Sequence, residues 1–468
     1  GASFVAGGDL LLHKYILSLI TPPAQVRSDH NVKYNTSIIY IQTSSNCHLC
    51  SSIKMKSATV IATLCASLPT LSFGVSSSIK TPLTMFDAQE YPLAKCLDGT
   101  PAGYYAQQTA SVEDKNKWVL YLNGGGECDN EASCQAQTTS ALGSSKYFYN
   151  ESDTSSWYLA SDYCPYNPTL CTWNHVMDPY CSQDLHSGQR TEATDDTFGL
   201  YFSGHHVLVA TLDELDKLYN LQDATDIVVS GVSAGGIGVW MNLDYIAQRY
   251  PSARVTGVSI AGMYFYATYY AGENHTDPGG MADFREAAWP NTYKLYEAFV
   301  DADCAKAQEA TGQSPGNCMI LNASYPYLQS DSFVVQAQTD AVVLTGHDNW
   351  PSDYMYEPPE QAFMAEWHAN MTVALQPLMV TEEDKHNQEA ETDKEKHGEV
   401  SSSSVSSPRS GVFAAACYTH GGFTHSYPLI DEINFYEAFD RFYSSASPST
   451  SYKLSDDCGE MCNPTCGN

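Results

Sequence analysis

Ser233 lies in Gly231-Val232-Ser233-Ala234-Gly235, after the β-branched run that starts at Asp226 and before a helix-compatible run from Gly238 to Tyr250. Strand, tight turn and helix in that order are the setting in which Gly-x-Ser-x-Gly presents a serine hydroxyl as a nucleophile. Glycines flank the serine because the turn is strained and nearby backbone approaches closely. An ordinary Gly-rich strand-to-helix turn is the bland alternative. A serine nucleophile also needs donors for a developing oxyanion. The apolar run Lys117 to Leu122 leads directly into Asn123-Gly124-Gly125-Gly126, whose backbone N–H groups can turn toward such a charge without Cβ interference. Ala234, next to the nucleophile, supplies the other donor of such a hole.

The acid and the base of a hydrolase with this turn follow the serine in the order acid, then histidine. Ser332 to Gln336 reads as a strand with Asp340 just past its end, where sites lie in doubly wound sheets. Asp348 and Asp353 compete for the acid, and His347 sits among them. A second apolar run, Val412 to Tyr418, ends in Thr419-His420-Gly421-Gly422. His420 is the candidate base and His425 the runner-up. The chemistry is acyl transfer through an acyl-enzyme, with no cofactor and no metal required.

The elements that must position these residues indicate an α/β fold. Strand-like runs at Trp118 to Leu122, Val207 to Ala210, Ile227 to Ser230, Val255 to Ile260 and Phe333 to Gln336 alternate with helical stretches. That alternation predicts an α/β-hydrolase-like, mainly parallel sheet covered by helices on both faces. His205 and His206 are read as opening one of those strands. The Tyr- and Asn-rich stretch from Tyr147 to Tyr180 is expected to form a disulfide-pinned lobe beside the site.

Several stretches together resemble the pectin acetylesterase family, which also contains the animal carboxylesterase Notum. They are Ala94 to Tyr104, Leu122 to Cys128, Trp173 to Val176, Pro179 to Ser182, Gly231 to Gly236, Phe333 to Asp340 and Ala416 to His420. They occur in the family's order and cover roughly Leu83 to Phe442. The resemblance implies Ser233 as nucleophile, Asp340 as acid, His420 as base, and oxyanion donors at Gly125, Gly126 and Ala234. It also implies a Cys96–Cys181 disulfide. The chain departs from the pattern at Asn123, where plant-like members carry an acidic residue, and at Glu127, where they carry a tryptophan. Notum has a tryptophan where this chain has Gly126, in a site built for a long acyl chain. A charged Glu127 beside an acyl site disfavours a fatty chain, because burying an unpaired carboxylate is costly.

Of the fifteen cysteines, Cys47, Cys50 and Cys65 precede the catalytic region, and the remaining even number suits disulfides in an oxidising compartment. Short separations suggest Cys128–Cys134, Cys164–Cys171 and Cys304–Cys318. The pairing of Cys417, Cys458, Cys462 and Cys466 is open. Met55-Lys56-Ser57 followed by an apolar run from Ala58 to Leu71 reads as a signal peptide over 55–76, with 1–54 an over-extended leader. A catalytic domain is expected over 77–446, interrupted by a disordered insertion at 381–410 rich in charged residues and serine, and a Cys-rich tail over 447–468. Sequons at Asn150, Asn274, Asn322 and Asn370 suit a secreted, glycosylated chain.

A net charge of -31 gives a field that repels polyanions. Neutral acetylated polysaccharide, highly esterified pectin or a small acetyl ester is therefore an easier substrate than de-esterified pectin. No basic aromatic stripe suggests nucleic acid, and no apolar stretch after residue 80 is long enough for stable membrane insertion. The expected protein is a secreted monomeric acetylesterase of the extracellular space or cell wall. The rivals are a Notum-like enzyme removing a fatty acyl group from protein, a serine peptidase of the same fold, and a non-catalytic carbohydrate-binding relative.

Overall fold

Apolar runs with little polar alternation form strands that are covered on both faces, and five of them make the middle of one sheet. The computed structural model describes residues 80–272, 286, 288–379, 408–445 and 452–467. The proposed leader 1–54, the signal segment 55–76, Asn274 and all but the last three residues of the 381–410 tract lie outside the described residues.

The strands are β1 (Lys80–Met85), β2 (Gly103–Gln107), β3 (Lys117–Leu122), β4 (Glu151–Asp153), β5 (Asn174–Asp178), β6 (Asp226–Val232), β7 (Arg254–Ile260), β8 (Asp331–Asp340), β9 (Ser410–Thr419) and β10 (Lys453–Ser455). They form a ten-stranded sheet in the order β10-β9-β8-β7-β6-β3-β5-β2-β1-β4. From β10 to β5 every neighbouring pair is parallel, and the pairs from β5 to β4 are antiparallel.

Alternate residues of these strands face opposite layers. Ile227 and Val229 pack with the inner faces of α1 (Gly204–Tyr219) and α2 (Ala234–Arg249), through Leu208, Leu212, Val239 and Leu243. Val334 and Val412 meet α3 (Pro358–Met379) through Met371 and Leu375. On the other face, Phe333, Val335 and Phe413 pack on Phe435, Phe439 and Phe442 of α4 (Phe435–Ser444). The sheet is therefore mainly parallel with helices on both faces. None of the described helices is long and apolar enough to cross a membrane.

Three local expectations are corrected. Val207 to Ala210 is not a strand; it lies inside α1, and His205 and His206 stand in that helix's first turn. The run recurs as Val207, Leu208, Thr211, Leu212 and Leu215, all buried, which is a helical spacing. The Tyr147 to Tyr180 stretch is only partly a lobe, since its end supplies β5 between β3 and β2. The acidic tract does not extend to residue 410: Ser410 opens β9, and the buried Arg409 donates to Asp331 through Nε at 2.9 Å and Nη2 at 2.6 Å. The tail adds a strand, because β10 pairs in parallel with β9.

Six disulfides among the described residues join Cys96–Cys181, Cys128–Cys134, Cys164–Cys171, Cys304–Cys318, Cys417–Cys466 and Cys458–Cys462. Cys417–Cys466 ties the end of β9 to the tail. Asn150, Asn322 and Asn370 are exposed, as a glycan would require.

Candidate active site

Ser233 occupies the turn between β6 and α2 with φ 57° and ψ -124°, a conformation that a non-glycine residue adopts only where the surroundings hold it. Its N–H donates to the carbonyl of Ile260 at 2.9 Å. The turn is closely packed: a Cβ on Gly235 would run into the carbonyl oxygen of Leu122. Ala234 is the first residue of α2, so its N–H is one of the four that a helix start leaves without an intrahelical acceptor.

The glycine loop leaves β3 and passes beside this turn, with Gly124 packed against Val232 and Ser233. Two of its carbonyls are held. His186 Nε2 bonds the oxygen of Asn123 at 2.8 Å, and Gln183 Nε2 donates to that of Gly125 at 3.1 Å. A trans peptide is planar, so pinning these oxygens fixes the N–H groups of Gly124 and Gly126 on the opposite sides. Gly126 has φ 74°, which favours glycine. Burial pushes the His186 imidazole down to about 4, against the opposing hydrogen bond to Asn123, which keeps the ring neutral.

β8 ends at Asp340 and β9 at Thr419, and these two residues are register partners, with an irregularity between Ala337 and Thr339. His420, next in the chain, brings Nδ1 to 2.9 Å from both carboxylate oxygens of Asp340. Asp340 is fully buried and also accepts from the N–H groups of Val342 and Val343 and from Gln336 Nε2. Burial pushes the His420 imidazole down, but the charge and hydrogen bond of Asp340 outweigh it and leave the pKa raised. His420 Nε2 is buried without a hydrogen-bond partner among the described residues.

The competitors stand elsewhere. His425 bonds Ser426 and stacks on Tyr166, Asp348 accepts from Trp367 Nε1, and Asp353 is exposed. His347 Nδ1 lies 3.4 Å from Glu127 Oε1, with both side chains buried. Burial, with a smaller contribution from the Asp129 charge, pushes the Glu127 carboxyl up to about 8.

Three neighbours of the site carry no motif of their own. Tyr264, buried after β7, hydrogen-bonds the Ser233 side chain. Gln183 and His186 lie two and five residues beyond the disulfide-bonded Cys181, and both have left-handed φ. The available hint is the family-like stretch Pro179 to Ser182, which ends just before Gln183. Among the described residues no group of three or more His, Cys, Asp or Glu side chains could hold a metal ion.

The combination of a strained serine turn, pinned N–H donors and a His–Asp pair suits acyl transfer. Comparison with known proteins agrees with it. The family model described as Pectinacetylesterase matches residues 75–467. Pectin acetylesterase 5 of Arabidopsis thaliana is 27% identical over 389 residues, covering 80% of this chain and 82% of that protein. Palmitoleoyl-protein carboxylesterase NOTUM of Schmidtea mediterranea is 29% identical over 269 residues, covering 55% of this chain and 49% of that protein. The chain thus spans about half the length of that second relative. The solved structure of the Wnt deacylase Notum from Drosophila superposes with a TM-score of 0.65 at 23% identity, covering 83% of this chain and 100% of that one.

Proposed function

Because the chain belongs to the pectinacetylesterase family, we propose that it is a secreted serine carboxylesterase that removes acetyl groups from a polysaccharide. The observation that carries this reading is the His420–Asp340 pair, whose next residue Gly421 packs close to Val232 at the strained Ser233 turn. In the proposed mechanism His420 Nε2 takes the Ser233 proton as Oγ attacks the ester carbonyl. Asp340 holds the Nδ1–H tautomer and stabilises the imidazolium. The N–H groups of Gly125, Gly126 and Ala234 receive the oxyanion. The sugar hydroxyl leaves with the proton from His420, and water then releases acetate from the acyl-enzyme. These steps need no cofactor.

Acetyl is favoured over a fatty acyl group by the family model described as Pectinacetylesterase and by the 80% of this chain that aligns with pectin acetylesterase 5. Six disulfides among the described residues support an oxidising, extracellular location. The test is acetate release from acetylated pectin and acetylated xylan, with esters of rising chain length in parallel. Ser233→Ala is expected to lower turnover by about 10⁴-fold or more without changing the unfolding midpoint. Undiminished activity in that variant refutes the assignment.

A further inference from the structure

A cavity of about 410 Å³ reaches Val232, the residue before Ser233, a volume within the ~300–1,000 Å³ of small-ligand sites. Its lining includes Asn123, which starts the glycine loop, and Val232, which precedes the serine. Its walls include Phe148, Tyr149, Trp157 and Tyr158. Seven of the fifteen lining residues are aromatic and none is charged, in a chain that is 12% aromatic with a net charge of -31. The composition is therefore local to this groove.

The geometry points to a binding groove for neutral pyranose rings, which holds the sugar chain whose ester faces Ser233. The inference rests on the esterase reading for its orientation. Continuity with the site supports it: the Tyr158 hydroxyl donates to the carbonyl of Gly421 at 2.9 Å, so one wall is bonded to the residue after His420. The walls are also held in place before any ligand arrives. Trp157 Nε1 donates to Ser152 Oγ at 3.0 Å, and the Tyr105 hydroxyl donates to the carbonyl of Tyr149 at 2.6 Å. Rigid aromatic faces beside polar hydroxyls suit the apolar C–H faces and equatorial hydroxyls of a sugar ring. A uronate carboxylate would enter this groove with no cation among its lining residues to receive it, and against the field of the whole chain. The groove therefore selects neutral acetylated glycan over polygalacturonate.

The test is a calorimetric titration of Ser233→Ala protein with an acetylated xylo-oligosaccharide and with an oligogalacturonide of equal length. The xylo-oligosaccharide is expected to bind and the oligogalacturonide to bind at least about tenfold more weakly. Adding Phe148→Ala or Tyr149→Ala to Ser233→Ala should each weaken sugar binding about three- to tenfold. Tyr149, 81% exposed, can be changed without disturbing the core, and Tyr149→Phe should restore binding. In otherwise wild-type protein Tyr149→Ala should keep the wild-type unfolding midpoint in urea, as its exposure requires. Unchanged sugar affinity in both variants, no binding of the xylo-oligosaccharide, equal binding of the oligogalacturonide, or loss of affinity for a long-chain fatty acid instead would each overturn the groove. Failure of the wild type to hydrolyse any ester would remove the esterase reading alone, because the titrations report the groove without turnover.

Discussion

Replacing Glu127 by glutamine should make the protein more stable at alkaline pH and leave it unchanged in acid. A solvated glutamate titrates near 4.5, whereas burial pushes Glu127 up to about 8. The folded state therefore keeps a proton that the unfolded state has lost. Stability contributed by the neutral carboxyl is fully present below pH 4.5, falls as pH rises, and is gone above about 8. The interval of about 3.5 units, at 1.36 kcal/mol per unit, amounts to something on the order of 5 kcal/mol. Glutamine has the same shape and no proton to lose. Other buried carboxyls with raised pKa values, Asp178 and Asp184, contribute equally to both proteins and cancel in the difference. Urea unfolding with disulfides intact, at about pH 4.5 and about pH 9, measures it. The two proteins should coincide in acid and diverge by several kcal/mol in base. The reasoning fails if Glu127→Gln is the less stable protein at alkaline pH. That result would mean an ionised Glu127 paired with a protonated His347 across their 3.4 Å separation.

Asp340→Asn should lower kcat by about 10⁴-fold, because the Nδ1–H tautomer loses its acceptor. The residual kcat/KM, which rises as His420 loses its proton, should have its acid limb at lower pH, since Asp340 holds that pKa up. Gly126→Ala should cost about 1–2 kcal/mol from its left-handed φ and about 10²-fold or more in kcat, as measured by denaturation and ester assay. Arg409→Ala should lower stability by about 3 kcal/mol in urea titrations, since Asp331 then keeps only the backbone N–H of residue 409 at 2.9 Å and Arg254, 3.8 Å away.

The sheet was legible where burial on both faces leaves an unbroken apolar run, as in β3, β6, β7 and β8. It was not legible in β5, whose residues Asn174, His175 and Asp178 are polar and nonetheless buried. The Asn174 amide donates to the carbonyls of Lys115 and Lys117, and His175 Nε2 bonds that of Leu170. These partners exist only in the folded chain, so the pattern alone reads as loop. Val207 to Ala210 failed for the opposite reason: four apolar or small residues fit either period, and only the continuation through Leu215 identifies the helix.

The site divides in a similar way. Gly231 to Gly235 announces itself because the turn imposes residue types at fixed spacing. Gln183, His186 and Tyr264 act on it across long stretches of chain and impose no spacing at all. Their role is nonetheless written in strain: Ser233, Gln183 and His186 all carry left-handed φ within one neighbourhood. At roughly 1–3 kcal/mol each, such residues persist only where packing and hydrogen bonds over-determine them. Here the constraint on Gln183 and His186 begins at the Cys96–Cys181 disulfide and ends on the carbonyls of the glycine loop. Two carbonyls of the loop are thus held without a ligand, and on the proposed mechanism this leaves the Gly126 N–H in place before an oxyanion forms. The parallel sheet, buried on both faces, offsets the cost of that strain.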